Sequence, residues 1–160
     1  MKSLKIRKAS VSDVKEIFRL GSQTEEFFVN DKTGGFWSKK QLLNWVKNKE
    51  DLCLVATIKN LIIGFILSTY HQPTKKVTIE NVFIAKHLRN KGIGRKIITE
   101  FLKTTTKTYL RIGAVYVMSL TRKKNHVFIN LMEKLGFTVG YKDWVWIEQE
   151  YTDDFPKKDK

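Results

Sequence analysis

The segment from Lys76 to Leu120 constrains the fold more than any other part of this 160-residue chain. "KVTIENVFIA" is rich in β-branched residues and reads as a strand. From Gly92 to Tyr109 a helical pattern follows, with Ile93, Ile97, Ile98, Phe101 and Leu102 on one side. "AVYVMSL", Ala114–Leu120, is a second short apolar strand. A strand, a helix and a strand in that order form a crossover, and within one sheet a crossover implies a parallel pair.

The remaining elements are read around that unit. "SLKIRKAS" is a first strand, and "SVSDVKEIFRL" a helix capped by Ser10 or Ser12, with Val14, Ile17 and Phe18 facing inward. A long loop mixing acids and aromatics leads to Ser38 and Gln41, a capping box before a helix with the stripe Leu42, Trp45 and Val46. "LCLVATIKN" and "LIIGFILSTYH" are strands joined by a turn near Lys59 and Asn60, and Pro73 and Thr74 mark another turn. Asn125 caps a last helix striped by Val127, Phe128, Leu131, Met132 and Leu135, and Gly136 ends it. "WVWIEQEY" closes the chain with an alternating strand. The expectation is an α/β fold of the mixed α+β kind: one domain over residues 1–151, a mostly antiparallel sheet of six to seven strands, about four helices, and a loosely attached charged tail, 152–160.

Composition narrows the function classes. Hydrophobic residues make up 42% of the chain, enough for a packed core and too many for a disordered segment. No apolar run approaches the ~18 residues of a membrane helix, and none follows Lys2, Lys5 and Arg7 as a signal peptide requires. The expected location is cytoplasmic, with no membrane partner. Thirty Lys and Arg against sixteen Asp and Glu give a net charge of +14, which favours anionic ligands. Nucleic-acid binding is disfavoured, because stacking on single strands needs exposed aromatics among the bases and most aromatics here lie in apolar strands or helix stripes. Cys53, the single cysteine, sits in the apolar run "LCLVATI" as a core residue. His71, His87 and His126 are isolated, so no metal site is expected.

The sharpest functional signal is "HLRNKGIGRKIITEF", residues 87–101, where Arg89, Lys91, Gly92, Gly94, Arg95 and Lys96 run into a helix. Glycines let a ligand approach the backbone, and free N–H groups at a helix start attract phosphate. Ile97 stands where a Walker A loop or a dinucleotide fingerprint would require glycine, so both are excluded. What remains is R-x-x-G-x-G, Arg89 to Gly94, which as a hexapeptide also fits an ordinary basic helix start.

"IENVFIAKHLRNKGIGRKIITEFL" resembles motif A of the GCN5-related N-acetyltransferase superfamily, and "NHVFINLMEKLGF" resembles its motif B. The resemblance runs from about Leu4 to Tyr151. It implies that acetyl-CoA is the cofactor, with its pyrophosphate held by Arg89, Asn90, Lys91, Gly92, Ile93, Gly94 and Arg95. It also implies that Phe83, Ile84 and Ala85 bind the pantetheine arm through their backbones, and that a backbone N–H near Phe83 or Ile84 on a distorted strand meets the thioester oxygen. Asn125 matches the asparagine that reaches the same arm, besides capping its helix. Glu80, nine residues before Arg89, stands where several family members carry a general base. A solvated strand-face glutamate paired with lysine is the plain alternative. Met132 replaces the tyrosine that often serves the leaving sulfur, and a thioether has no proton to give. Tyr141 and Tyr116 are conceivable substitutes. "RKKN", Arg122–Asn125, reads as a basic turn that could meet the ribose phosphate or simply be solvated.

The acceptor is expected at the long loop, where Glu25, Glu26 and Asp31 accompany Phe27, Phe28, Phe36 and Trp37. Acids beside aromatics suit a cationic amine on a protein or a small molecule, with Glu25, Glu26, Phe28 and Trp37 as candidate contacts. The same aromatics would equally serve to hold the loop down. The expected activity is transfer of an acetyl group to a primary amine by direct attack, in a monomer or homodimer. The alternative is a non-catalytic module of the same fold that senses acyl-CoA or binds nucleic acid.

Overall fold

The apolar runs become the centre of a mixed sheet. In the computed structural model residues 4–27, 35–112 and 116–140 are described, the stretch 105–112 by its backbone alone. β1 (Lys5–Lys8) pairs antiparallel with β2 (Leu54–Ile58), β2 with β3 (Leu61–His71), and β3 with β4 (Lys76–Ile84). Lys59 and Asn60 take φ of +50° and +64°, the left-handed pair that joins twisted strands through a two-residue turn. α3 (Ile93–Ile112) then carries the chain to β5 (Tyr116–Ser119), which lies parallel to β4, as the crossover requires. Strand order follows chain order, β1 to β5.

Five strands and four helices are present among the described residues, one or two strands fewer than expected. The expected closing strand and the tail 152–160 lie outside them. The described residues fall into two compact units, one up to Lys123 and one from Lys124 on.

In the first unit helices cover both faces of the sheet. α1 (Val14–Ser22) and α2 (Lys39–Lys47) bring Val14, Ile17, Leu42 and Trp45 onto Cys53, Val55, Phe65, Leu67 and Phe83 in one apolar cluster. α3 packs on the other face through Ile93, Ile97, Ile98 and Phe101, all buried. Burial of about a dozen such side chains, each contributing ~1.5–3 kcal/mol, is the main force holding this layer arrangement. Ser38 Oγ caps α2 by accepting from the Gln41 N–H at 3.1 Å, half of the expected capping box. Cys53 is buried, and burial pushes its thiol up to about 12, so it is not a nucleophile.

In the second unit α4 (His126–Lys134) ends as the sequence suggests. Gly136 at φ +88° donates to Glu133 O, and Phe137 donates to Met132 O, which closes the helix. Met132 is buried, whereas Val127, expected on the apolar stripe, is exposed. Among the described residues no helix is long and apolar enough to cross a membrane.

One ion pair ties β1 to the start of α1. Asp13 accepts from both terminal nitrogens of Arg7 at 2.7 and 2.9 Å, and from the N–H and hydroxyl of Ser10 at 2.7 Å each. The Arg7 guanidinium, with these hydrogen bonds, lowers the Asp13 carboxyl from its ordinary 3.8 to about 2. A folded-state value below the unfolded one means stability that is present above the unfolded value and lost as pH falls toward the folded one. Asp13→Asn should therefore cost about 1–2 kcal/mol at pH 7. The wild type should lose that advantage between about pH 4 and pH 2. Urea denaturation of both proteins across this range checks it: curves that stay parallel would rule the pair out.

Candidate active site

The site begins with a slip in the sheet. Gly64 to Leu67 pair with Ile84 to Asn81 in steady register, but Ser68 pairs with Ile79, so Glu80 is an extra residue in β4. Such a bulge reverses the side-chain alternation of everything on one side of it. Val77 and Ile79 accordingly lie outside the cluster that contains Phe83, and Glu80 joins Asn81 on the face of α1 and α2. Two hydrogen bonds show it. Thr69, two residues beyond the cluster member Leu67, donates through its hydroxyl to Glu80 Oε1 at 2.6 Å. Trp37, in the loop before α2, donates from Nε1 to Asn81 Oδ1 at 2.7 Å. Glu80 is thus half-buried, its carboxylate held, and beside an exposed indole.

The far half of β4 has one open edge among the described residues. The parallel ladder with β5 stops at Ile79 opposite Ser119, while β4 continues to Ile84. The Ala85 N–H donates to Ile63 O at 2.9 Å, so by antiparallel alternation Phe83 and Asn81 also turn their backbone groups toward β3. Val82 and Ile84 then present theirs to the open edge. The backbone groups expected to serve the pantetheine arm thus divide. Phe83 is a core residue, its ring stacked on Phe65 at 5.0 Å, and the Ala85 amide is engaged with β3. Ile84 has its N–H at the edge and its carbonyl bonded to Arg89 Nε at 3.0 Å. Val82 belongs with it, although the sequence offered no sign of this.

Beyond β4 the chain makes a short 3-10 turn, Lys86–Leu88, and enters the basic glycine segment. Asn90 and Gly92 adopt φ of +61° and +75°. The Lys96 N–H reaches Gly92 O at 3.1 Å as the first helical bond, so the N–H groups of Ile93, Gly94 and Arg95 have no carbonyl within α3 to bond. A left-handed residue followed by helical ones makes a concavity of N–H groups that suits an anion. A Cβ placed on Gly92 would meet nothing within 4 Å, so the space before this turn is open. Lys91, Arg95 and Lys96, all exposed, put positive charge on this segment, and α3 adds its dipole. These features fit a diphosphate.

The acidic loop is held at both described ends. Phe27, in the 3-10 turn Glu25–Phe27, stacks on Phe36 at 5.6 Å, and both rings rest on Phe65. Gly21 makes room for Phe36, whose ring would lie 2.2 Å from a Cβ there. These phenylalanines hold the loop down. Glu26 bonds Arg89 Nη1 at 2.8 Å, and that contact holds its carboxyl below the ordinary range. Glu25 is exposed on the same turn, and Trp37 packs edge-on against Trp45 at 4.8 Å. Phe28, Asp31 and Tyr141 lie outside the described residues.

Tyr116 pairs with Lys76, at the opposite end of the β4–β5 ladder from Ile79 and Ser119. Asn125 belongs to the second unit, where its side chain accepts from the Phe128 N–H at 3.4 Å and caps α4. Among the described residues no three His, Cys, Asp or Glu side chains gather as metal ligands.

Comparison with known proteins agrees with this fold. The PaiA N-acetyltransferase from Thermoplasma acidophilum, solved with coenzyme A, superposes with a TM-score of 0.72 at 23% identity, covering 88% of this chain and 93% of its own. An aminoglycoside acetyltransferase from an uncultured soil metagenomic sample, in complex with sisomicin, gives 0.69 at 18%, covering 92% and 97%. The ribosomal-protein-S18-alanine N-acetyltransferase from Escherichia coli gives 0.67 at 17%, covering 85% and 78%. At these identities the likeness is one of fold. No curated protein matches the chain. The sequence model of the acetyltransferase (GNAT) family matches residues 19–137, and the chain therefore belongs to that family of acetyl-CoA-dependent enzymes.

Proposed function

We propose that the protein transfers the acetyl group of acetyl-CoA to a primary amine, with Glu80 as general base. The observation that carries this reading is the bulge, which brings Glu80 to the face of α1, α2 and Trp37 at the start of the open edge of β4. Acetyl-CoA supplies the thioester whose C–S bond breaks as the amide forms. The turn Arg89–Arg95 seats the diphosphate, and the backbone of Val82 and Ile84 aligns the arm. The Ile84 N–H is the donor available to the carbonyl oxygen as charge develops there, a contact of a kind worth about 3 kcal/mol of barrier.

An alkylammonium has a pKa near ~10, so the acceptor arrives protonated and must lose that proton before it attacks. The Glu80 carboxylate takes it, directly or through one water, while Thr69 keeps the carboxylate from turning away. The departing thiolate needs no tyrosine: thiols ionise near ~8.5, so the sulfur leaves as an anion and takes its proton from water. Glu25 and Trp37 are the candidates for receiving the cationic acceptor, since the exposed acid and the exposed indole lie on the two described ends of the loop.

Glu80→Gln should lower kcat at least ~100-fold across a panel of amines while acetyl-CoA affinity stays within about twofold. Thiol release and calorimetry measure the two, and unchanged turnover would remove Glu80 from the role. Gly92→Ala should act oppositely. A side chain at φ +75° costs roughly 1–2 kcal/mol of backbone strain, and relief of that strain reshapes the turn. Acetyl-CoA affinity should drop about tenfold with little change in saturating kcat. Wild-type affinity in this variant would show that the diphosphate sits elsewhere.

A further inference from the structure

Arg89 opens the phosphate motif, yet its guanidinium is engaged by two other parts of the protein. Nε donates to Ile84 O at 3.0 Å and Nη1 to Glu26 Oε1 at 2.8 Å. The three groups come from separate places: the end of β4, the motif turn, and the 3-10 turn Glu25–Phe27 that lies 63 residues earlier. A planar guanidinium with donors in a fixed fork can hold two acceptors at a set angle, which an ammonium on a flexible stem cannot. The Glu26 carboxylate is also oddly placed for a site that binds anions, because Coulomb repulsion alone would make it a liability beside a diphosphate.

We propose that Glu26 is a positioning residue for Arg89, and that the pair acts as a brace joining the acceptor-side loop to the end of β4 and the phosphate turn. This rests on the acetyl-CoA reading of that turn. The brace accounts for each oddity. Arg89 neutralises Glu26, so the anion meets Lys91, Arg95 and the helix N-terminus rather than an unpaired acid. It also caps the Ile84 carbonyl on the open edge and leaves the Ile84 N–H as that residue's edge group. Because Glu26 is already held, it is not the ligand of the cationic acceptor, and the acidity of the loop divides between a structural Glu26 and an available Glu25.

Three explanations of Glu26 predict different signs, which makes the test direct. Acetyl-CoA binding is measured by calorimetry, and amine KM and kcat by thiol release, for wild type, Glu26→Gln, Arg89→Lys, Arg89→Gln and the double variant Glu26→Gln/Arg89→Gln. A brace between partly exposed groups predicts that Glu26→Gln weakens acetyl-CoA binding about three- to fivefold although a negative charge has been removed. Arg89→Lys should not rescue Arg89→Gln, and the double variant should bind no more weakly than Arg89→Gln alone. Tighter acetyl-CoA binding in Glu26→Gln would make the acid a mere repulsive charge and overturn the proposal. So would unchanged acetyl-CoA binding with a raised amine KM, which would make Glu26 an acceptor ligand, and so would additive losses in the double variant. Wild-type protein that binds no acetyl-CoA at all would instead refute the transferase reading, and thermal melting of each variant separates lost folding from lost coupling.

Discussion

The parallel ladder of β4 and β5 ends at Ile79 and Ser119, and at the next residue β4 bulges. These two events at adjacent positions set up the rest of the site. The first leaves the backbone of Val82 and Ile84 without a strand partner on one side among the described residues, so hydrogen-bonding groups that a sheet would normally consume face an open edge. The second reverses side-chain alternation, so an acid that strict alternation would have placed opposite Asn81 lies beside it. A parallel pair needs a crossover helix, and that helix must begin at the end of β4 where the edge opens. The anion-attracting start of α3 and the open strand edge are therefore neighbours by topology.

Charge is arranged locally within a strongly basic chain. The net charge of +14 draws anions to the whole surface, but a diphosphate seat depends on oriented N–H groups that no count of lysines can supply. Two acids near the site are each held: Glu80 by Thr69, Glu26 by Arg89. The carboxylate proposed to accept a proton and the one proposed to stay paired thus differ in partner rather than in residue type. The same distinction separates Asp13, pinned by Arg7, from acids on the open surface.

Legibility followed range. The stripes Val14, Ile17 and Phe18, then Leu42, Trp45 and Val46, then Ile93, Ile97, Ile98, Phe101 and Leu102 were readable because helical periodicity is local; all are buried except Phe18, Val46 and Leu102, which are partly so. The turn at Lys59–Asn60 and the glycine end of α4 were readable for the same reason. Arg89, Gly92 and Gly94 form a contiguous motif, so the phosphate turn stands out in the sequence itself. Thr69 and Val82 do not, since their relevance arises from pairing across strands and from where a neighbouring strand stops.

The order of elements, the parallel crossover, the glycine turn at a helix start and the candidacy of Glu80 follow from the amino-acid sequence by itself, because each depends on residues within a few positions of one another. The tertiary structure decided which way Glu80 points, which backbone groups of β4 face the open edge, and that Glu26 pairs with Arg89. Those outcomes depend on a one-residue register slip between β3 and β4 and on a contact spanning 63 residues. Neither leaves a local trace, since the energies that select them come from packing between segments distant in the chain.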